Sequence, residues 1–149
     1  MAVSPVPDGY RGAVPYLVVK NGAAAIEFYA KAFGARERMR MPGPDGAVMH
    51  AELEIGGGRV MLSDELQGAQ SPKSLGGTPV SMFMYVNDVD ASFAKALAAG
   101  ATVKAPLTDM FWGDRWGMLT DPFGHDWQLA THVEDVSPQE MHKRMAAMK

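Results

Sequence analysis

An internal repeat constrains the fold of this chain more than any other feature of its sequence. Residues 15–35 (PYLVVKNGAAAIEFYAKAFGA) are echoed about 66 residues later by residues 80–101 (VSMFMYVNDVDASFAKALAAGA). Each copy has a run rich in Val, Tyr, Phe and Met, then a polar break, and then apolar residues at helical spacing. The repeat therefore predicts two units that each begin with a strand and continue into a helix.

Apolar spacing also predicts which face of each helix is buried. The predicted buried residues are Ile26, Tyr29, Ala30 and Phe33 in the first copy and Val89, Phe93 and Leu97 in the second. Gly34 and Gly100 follow the last apolar residues, where a left-handed residue commonly ends a helix.

Three further strand-like runs follow each helix, separated by turn signals. The predicted strands are residues 36–41, 48–55 and 59–64 in the first copy and 101–104, 116–120 and 126–131 in the second. The sequence therefore predicts an α+β fold of two tandem βαβββ units, at about residues 10–66 and 79–132, in a single domain spanning 1–149. Residues 67–78 form a linker. Ser137-Pro138-Gln139-Glu140 is a capping box that predicts a terminal helix over residues 137–148.

Composition excludes several classes of partner. The net charge of -3 gives no basic field for nucleic acid, and no apolar run reaches the roughly 18 residues that span a bilayer. No cysteine occurs, which fits a reducing cytoplasm. We expect a soluble cytoplasmic protein that binds neither nucleic acid nor membrane.

Several phrases of the sequence carry a family resemblance. The phrases PYL-x-V, A-x-x-FY-x-x-AFGA, GDRWG and DPFGHDW-x-LATH occur in order along nearly the whole chain. Together with the duplicated unit, they resemble the vicinal oxygen chelate (glyoxalase/bleomycin-resistance) superfamily, and more narrowly its PhnB-like branch. The resemblance implies a curved mixed sheet with helices on its convex face, a ligand cleft on the concave face, and commonly a homodimer. Activities vary widely among proteins of one fold.

The resemblance also assigns four positions to metal ligands. These positions hold Val14, Met61, Ser81 and Gln128 in this chain. Only Gln128 is a comfortable ligand, because an alkyl group and a thioether cannot hold a hard divalent ion and a neutral serine is a poor ligand. We therefore expect that the family metal site is lost and that no cofactor is bound.

One strand carries a candidate proton-transfer pair. In residues 49–55 the apolar face is formed by Ala51, Leu53 and Ile55, and the polar face by His50, Glu52 and Glu54. His50 and Glu52 would stand side by side, either as a catalytic His–carboxylate pair or as a polar face at a solvated rim. Asp64 could join them in a metal cluster outside the family pattern.

The remaining candidate ligand-binding residues come from strand starts and one loop. These residues are Tyr16, Phe83, Tyr85, Trp112 and Arg115. The four positions that the family assigns to metal ligands are also candidates for ligand binding. Phe83 and Tyr85 could stack on a planar ligand or simply pack. Trp112 could be a lid and Arg115 an anion anchor, or Asp114 and Arg115 could pin the turn. His132 has no partner pattern and is predicted to be a surface residue.

Three functions remain open from the sequence. The first is a metal-free protein that binds a small planar or aromatic molecule in the cleft. The second is an enzyme of the same superfamily (a lyase, isomerase or dioxygenase-like protein) that uses His50 and Glu52 or an atypical divalent metal. The third is a partner-binding protein that uses the methionines of the C-terminal helix.

Overall fold

The computed structural model describes residues 3–148. Met1, Ala2 and Lys149, which the sequence analysis includes in a single domain, lie outside the described residues. The chain divides into two compact units, one ending at Thr78 and the other beginning at Pro79. That both units belong to a single domain stays a prediction. None of the helices within the described range is long and apolar enough to span a bilayer.

The first unit is a four-stranded mixed sheet with one long helix. Its elements are β1 (Tyr16–Val19), α1 (Gly22–Phe33), β2 (Arg36–Pro42), β3 (Val48–Ile55), β4 (Gly58–Asp64) and the short α2 (Pro72–Leu75). The strand order is β1-β4-β3-β2, in which β1 runs parallel to β4 and the other pairs are antiparallel. Helix α1 packs on β3 and β4, so one face of the sheet is covered.

The second unit repeats this plan. Its elements are β5 (Ser81–Tyr85), α3 (Val89–Ala99), β6 (Thr102–Asp109), β7 (Asp114–Thr120), β8 (Asp126–His132) and α4 (Pro138–Ala147). The order β5-β8-β7-β6 matches that of the first unit, again with a parallel first pair. Helix α3 packs on β7 and β8. The predicted tandem βαβββ units and C-terminal helix are therefore confirmed.

Strand alternation builds the core of each unit. Ala51, Leu53 and Ile55 of β3 are buried, as predicted, while the residues between them are partly exposed. The predicted helix faces are wrong at two positions, because Ala30 and Leu97 are exposed. The buried stripes follow an i, i+4, i+7 spacing instead, through Ala25, Tyr29 and Ala32 in α1 and Val89, Phe93 and Ala96 in α3.

Gly34 and Gly100 end α1 and α3, and Ser137 caps α4, as predicted. Gly34 ends α1 with φ 67°, a left-handed conformation that suits a residue without Cβ. Asp88 caps α3 by accepting a hydrogen bond from the Ala91 amide. Ser137 caps α4 by accepting one from the Glu140 amide at 3.1 Å. Short-range side-chain chemistry therefore fixes where these helices begin and end.

Two elements differ from the sequence prediction. Strand β6 continues to Asp109 although Pro106 lies within it, because an edge strand with irregular pairing between Ala105 and Thr108 tolerates a proline. Helix α2 occupies part of the predicted linker. Its four residues are too few to show the periodicity from which helices are read.

Equivalent side chains anchor the two long helices to the last strands. Asp64, at the end of β4, accepts hydrogen bonds from the amides of Asn21 (2.8 Å), Gly22 (2.9 Å) and Val48 (2.7 Å). Thr131 on β8 accepts one from the Val89 amide at 2.9 Å. In the first unit, one carboxylate therefore joins β4 to the starts of α1 and β3.

Replacing Asp64 by Ala should destabilise the protein strongly, because three backbone N–H groups lose a charged acceptor. We expect the free energy of unfolding to fall by about 2–4 kcal/mol in urea denaturation. Glu27→Ala is the matched control, since Glu27 pairs with Lys31 on the exposed face of α1. That control should change stability by less than about 0.5 kcal/mol. Equal losses in the two variants would contradict the anchoring role of Asp64.

Candidate functional site

A hydrogen-bonded chain of polar side chains lies on the open face of the first sheet, opposite α1. His50 Nε2 lies 2.8 Å from Glu52 Oε2, and His50 Nδ1 lies 2.9 Å from the Tyr16 hydroxyl. The Tyr16 and His50 rings are 5.5 Å apart. The two residues predicted as a pair are thus in direct contact, and Tyr16 fixes the other nitrogen of the imidazole.

Tyr10 extends this chain and was missed by the sequence analysis. Its hydroxyl donates a short hydrogen bond to Glu52 Oε1. The hydrogen bonds from Tyr10 and then His50 lower the pKa of Glu52, and the bond to Glu52 raises the pKa of Tyr10. Glu52 is therefore held as a carboxylate beside the imidazole. Tyr10 precedes β1 in an irregular segment, where no periodicity indicates its direction.

Asp64 does not join His50 and Glu52, contrary to the metal cluster considered from the sequence. Its carboxylate is bound by the three backbone amides described above. The neighbouring Glu65 accepts a hydrogen bond from the Ser71 amide at 2.7 Å. Within the described part of either unit, no three His, Asp or Glu side chains are grouped to hold a metal ion.

The open face of the second sheet carries a different polar chain at equivalent positions. Trp116 Nε1 donates to Gln128 Oε1 at 3.0 Å, and Gln128 Nε2 donates to the Ser81 hydroxyl at 2.7 Å. Both ends of the Gln128 amide are therefore engaged. Gln128 lies opposite Phe83 in the β5–β8 register, just as Met61 lies opposite Tyr16 in β1–β4. Met61 and Gln128 are thus equivalent residues of the two units, while Val14 precedes β1 and is half-buried.

Exposed aromatic rings flank this second chain. Phe83 and Tyr85 are 48% and 59% exposed, and their rings lie 5.1 Å apart. Tyr85 and His132 share an open cavity of about 390 Å³ with Val86, Asn87 and Thr131. The rings thus have an accessible surface on which a planar molecule could lie.

Asp114 is a buried carboxylate that collects three hydrogen bonds. It accepts from the Tyr85 hydroxyl (2.8 Å), Trp112 Nε1 (3.0 Å) and His132 Nδ1 (2.8 Å). Burial alone would raise the pKa of Asp114, but the hydrogen bonds from His132, Tyr85 and Trp112 together lower it. Trp112, predicted as a lid, is therefore tied to the end of the sheet through this carboxylate.

His132 and Arg115 have more partners than the sequence indicated. His132 is exposed, as predicted, and it bridges Asp114 and Asp135, with Nε2 at 2.7 Å from Asp135. Arg115 donates two 2.9 Å hydrogen bonds to Asp90 and one at 3.2 Å to Asp109. The guanidinium predicted as an anion anchor is therefore already held by two carboxylates. Asp114 bonds Trp112 within the turn and Arg115 bonds Asp109 on its other side, as the alternative of a pinned turn expects.

The sequence of this chain matches a known superfamily. A sequence profile of the Glyoxalase/Bleomycin resistance protein/Dioxygenase superfamily matches residues 13–129. The chain belongs to this superfamily. The Mycobacterium bovis protein Mb0911c is 51% identical over 138 residues, which cover 89% of this chain and 91% of that protein.

Two solved structures show the same architecture. The X-ray structure of the Arabidopsis thaliana gene product At5g48480 has a TM-score of 0.68 and 31% identity, and covers 81% of this chain and 98% of that chain. The structure of the PhnB protein from Bacillus cereus has a TM-score of 0.65 and 20% identity, and the match covers 81% of this chain and 99% of that chain. At this identity, the similarity shows a shared fold. The predicted superfamily, with PhnB-like neighbours, is confirmed.

His132 should titrate above the ordinary value of 6.5, because hydrogen bonds to Asp135 and then Asp114 raise its pKa. A raised folded-state pKa gives stabilisation that is fully present below pH 6.5 and is lost as the pH rises through the raised value. NMR titration of the imidazole Cε1 proton should show this pKa, and Asp135→Asn should lower it. Glu27→Gln, with the same change of charge, should leave it unmoved. A His132 pKa that Asp135→Asn does not change would contradict this arrangement.

Proposed function

We propose that this protein binds a small planar or aromatic organic molecule on the open sheet faces and has lost the superfamily's metal site. The observation that carries the proposal is the chemistry of the four positions that the family assigns to ligands. Val14 and Met61 offer an alkyl group and a thioether, and Ser81 accepts a hydrogen bond from Gln128. Gln128, the best candidate, has both amide atoms engaged within its own sheet.

The open faces themselves supply what a planar ligand needs. In the first unit, Tyr16 is 49% exposed and lies beside Met61, and Met39 and Met41 of β2 are also exposed. Tyr rings and Met thioethers together form an apolar, polarisable surface for an aromatic body. The neighbouring Glu52 and His50 add a few directed polar groups, which is the usual composition of small-molecule sites. Cytoplasmic location and a homodimer stay predictions from composition and family resemblance.

The proposal predicts binding without metal. Protein purified without chelator should carry less than about 0.1 equivalent of zinc, nickel, manganese or iron in elemental analysis, since structural sites bind stoichiometrically. Small aromatic compounds should raise its melting temperature, whereas divalent ions should not. Tyr16→Ala should reduce the aromatic effect, and Leu75→Ala, at an exposed residue of α2, is the control. Stoichiometric metal with a metal-dependent melting shift would overturn the proposal.

A second candidate is a metal-independent enzyme that uses His50 as a general base. The observation that favours it is the oriented imidazole, held between the Tyr16 hydroxyl and the ionised Glu52. A carboxylate hydrogen-bonded to one ring nitrogen sets the tautomer and stabilises the imidazolium that forms when the base takes a proton. A substrate that displaces the Tyr16 hydroxyl from His50 would leave Nδ1 free to accept the proton.

Deuterium exchange tests the enzyme hypothesis. We expect His50→Ala to slow exchange at the carbon next to a carbonyl by about 10²–10⁴-fold, across a panel of α-hydroxy ketones in D₂O followed by NMR. His142→Ala, at an exposed histidine of α4, should leave the rate unchanged. Exchange that is equally fast in the wild type and in His50→Ala would remove the proton-transfer role.

A further inference from the structure

Three arginine side chains converge on one carboxylate at the edge of the first unit's open face. Arg36, Arg38 and Arg59, here called the arginine cluster, place an Nη1 atom 4.0, 3.8 and 3.8 Å from the same oxygen, Glu54 Oε2. The three contacts are ion pairs, because their N–O distances are too long for hydrogen bonds. Glu37, the other carboxylate of β2, is already bound to Arg40 through two hydrogen bonds.

The cluster therefore holds an excess of positive charge. Glu54 is within ion-pair distance of three guanidinium groups, and the ionised Glu52 also interacts with Arg59, so two carboxylates stand against three arginines. Arg36 and Arg38 are 74% and 45% exposed, so their remaining donors can be reached from solvent. Arg38 lies at the register shift between Glu37 and Met39, a bulge of the kind that re-aims a side chain.

Arg59 is the least exposed arginine of the cluster, at 17%. Its Nη1 atom is enclosed and has no hydrogen-bond partner in the described part of the chain. The Tyr10 ring lies 5.5 Å from the guanidinium carbon, and the Gly9 backbone packs so closely that a Cβ there would lie 2.8 Å from Arg59 Nε. Packing thus holds this guanidinium in place, with its enclosed Nη1 atom 3.8 Å from Glu54 Oε2.

The position of the cluster relates it to the proposed planar site. Glu54 lies opposite both Arg36 and Arg59 in the strand register, and two residues earlier Glu52 lies opposite Met39 and Met61. Residues opposite each other share a face of the sheet. The arginine cluster and the Met39–Met61 surface are therefore adjacent, about 7 Å apart along the strands.

We propose that the arginine cluster binds an anionic oxygen group, a carboxylate or a phosphate, of a ligand whose planar part lies on Tyr16, Met39 and Met61. Guanidinium groups bind both kinds of group through paired, charge-assisted hydrogen bonds. Glu54 holds the arginines together when the site is empty and competes with the incoming anion. The planar part of this ligand rests on the proposed function, whereas the anion site stands on the cluster alone.

Four probes separate these two claims: benzoate, its neutral isostere benzamide, acetate and inorganic phosphate, each titrated at constant ionic strength by NMR. Wild-type protein should bind benzoate at least about tenfold more tightly than benzamide. Arg38→Gln should weaken benzoate binding about five- to tenfold and leave benzamide unchanged. Glu54→Gln should tighten benzoate binding, because it removes the internal competitor. Lys31→Gln, with the same loss of charge on α1, is the control and should change neither.

The outcomes distinguish a failure of the anion site from a failure of the planar site. Equal affinities for benzoate and benzamide, with no effect of either cluster variant, would overturn the anion site and leave the planar site standing. Acetate or phosphate binding that disappears in Arg38→Gln, with no gain from the phenyl ring of benzoate, would support the anion site and overturn the planar one. Phosphate binding tighter than that of acetate would identify a phosphate group as the preferred anion. The opposite directions expected for Arg38→Gln and Glu54→Gln cannot both arise from impaired folding.

Discussion

Strand alternation is the constraint on which the rest of the structure depends. Each sheet buries one face under a helix, so every second residue of its strands must occupy the opposite, open face. In β3 this rule buries Leu53 and leaves His50 and Glu52 on the open face. The pattern that builds the hydrophobic core therefore also assembles the candidate site. A shift of one residue in strand register would exchange the two sets.

The two units use one scaffold for different chemistry. Asp64 and Thr131 anchor the helices of their units in the same way, yet the open faces differ. The first unit presents an ionised Glu52 among tyrosine, histidine and arginine side chains, whereas the second presents a closed amide chain through Gln128. Within the described residues, neither face groups the converging His, Asp or Glu donors that a metal ion needs.

Local patterns made the fold predictable, and cross-strand register made part of the site unpredictable. The burial pattern around Leu53 and the helix cap at Ser137 both depend on residues within a few positions of one another. The sequence therefore predicts both features correctly. The contact between Arg36 and Glu54 depends on the register of β2 against β3 beyond a bulge. The spacing of residues in the sequence does not show that register. Tyr10 contacts Glu52 from an irregular segment, where the direction of a side chain does not follow a periodic pattern. His50 and Glu52 were found because both lie on one regular strand.

NMR of ¹³C-methyl-labelled methionines tests most directly whether the open face of the first unit binds an organic molecule and not a metal. The twelve methionines include Met39 and Met61 on that face and Met145 on α4, which serves as an internal reference. We predict that benzoate shifts the methyl signals of Met39 and Met61, leaves that of Met145 in place, and that Mn²⁺ broadens none of the three at stoichiometric concentration. Selective broadening of Met61 by Mn²⁺, with no response to benzoate, would contradict the account.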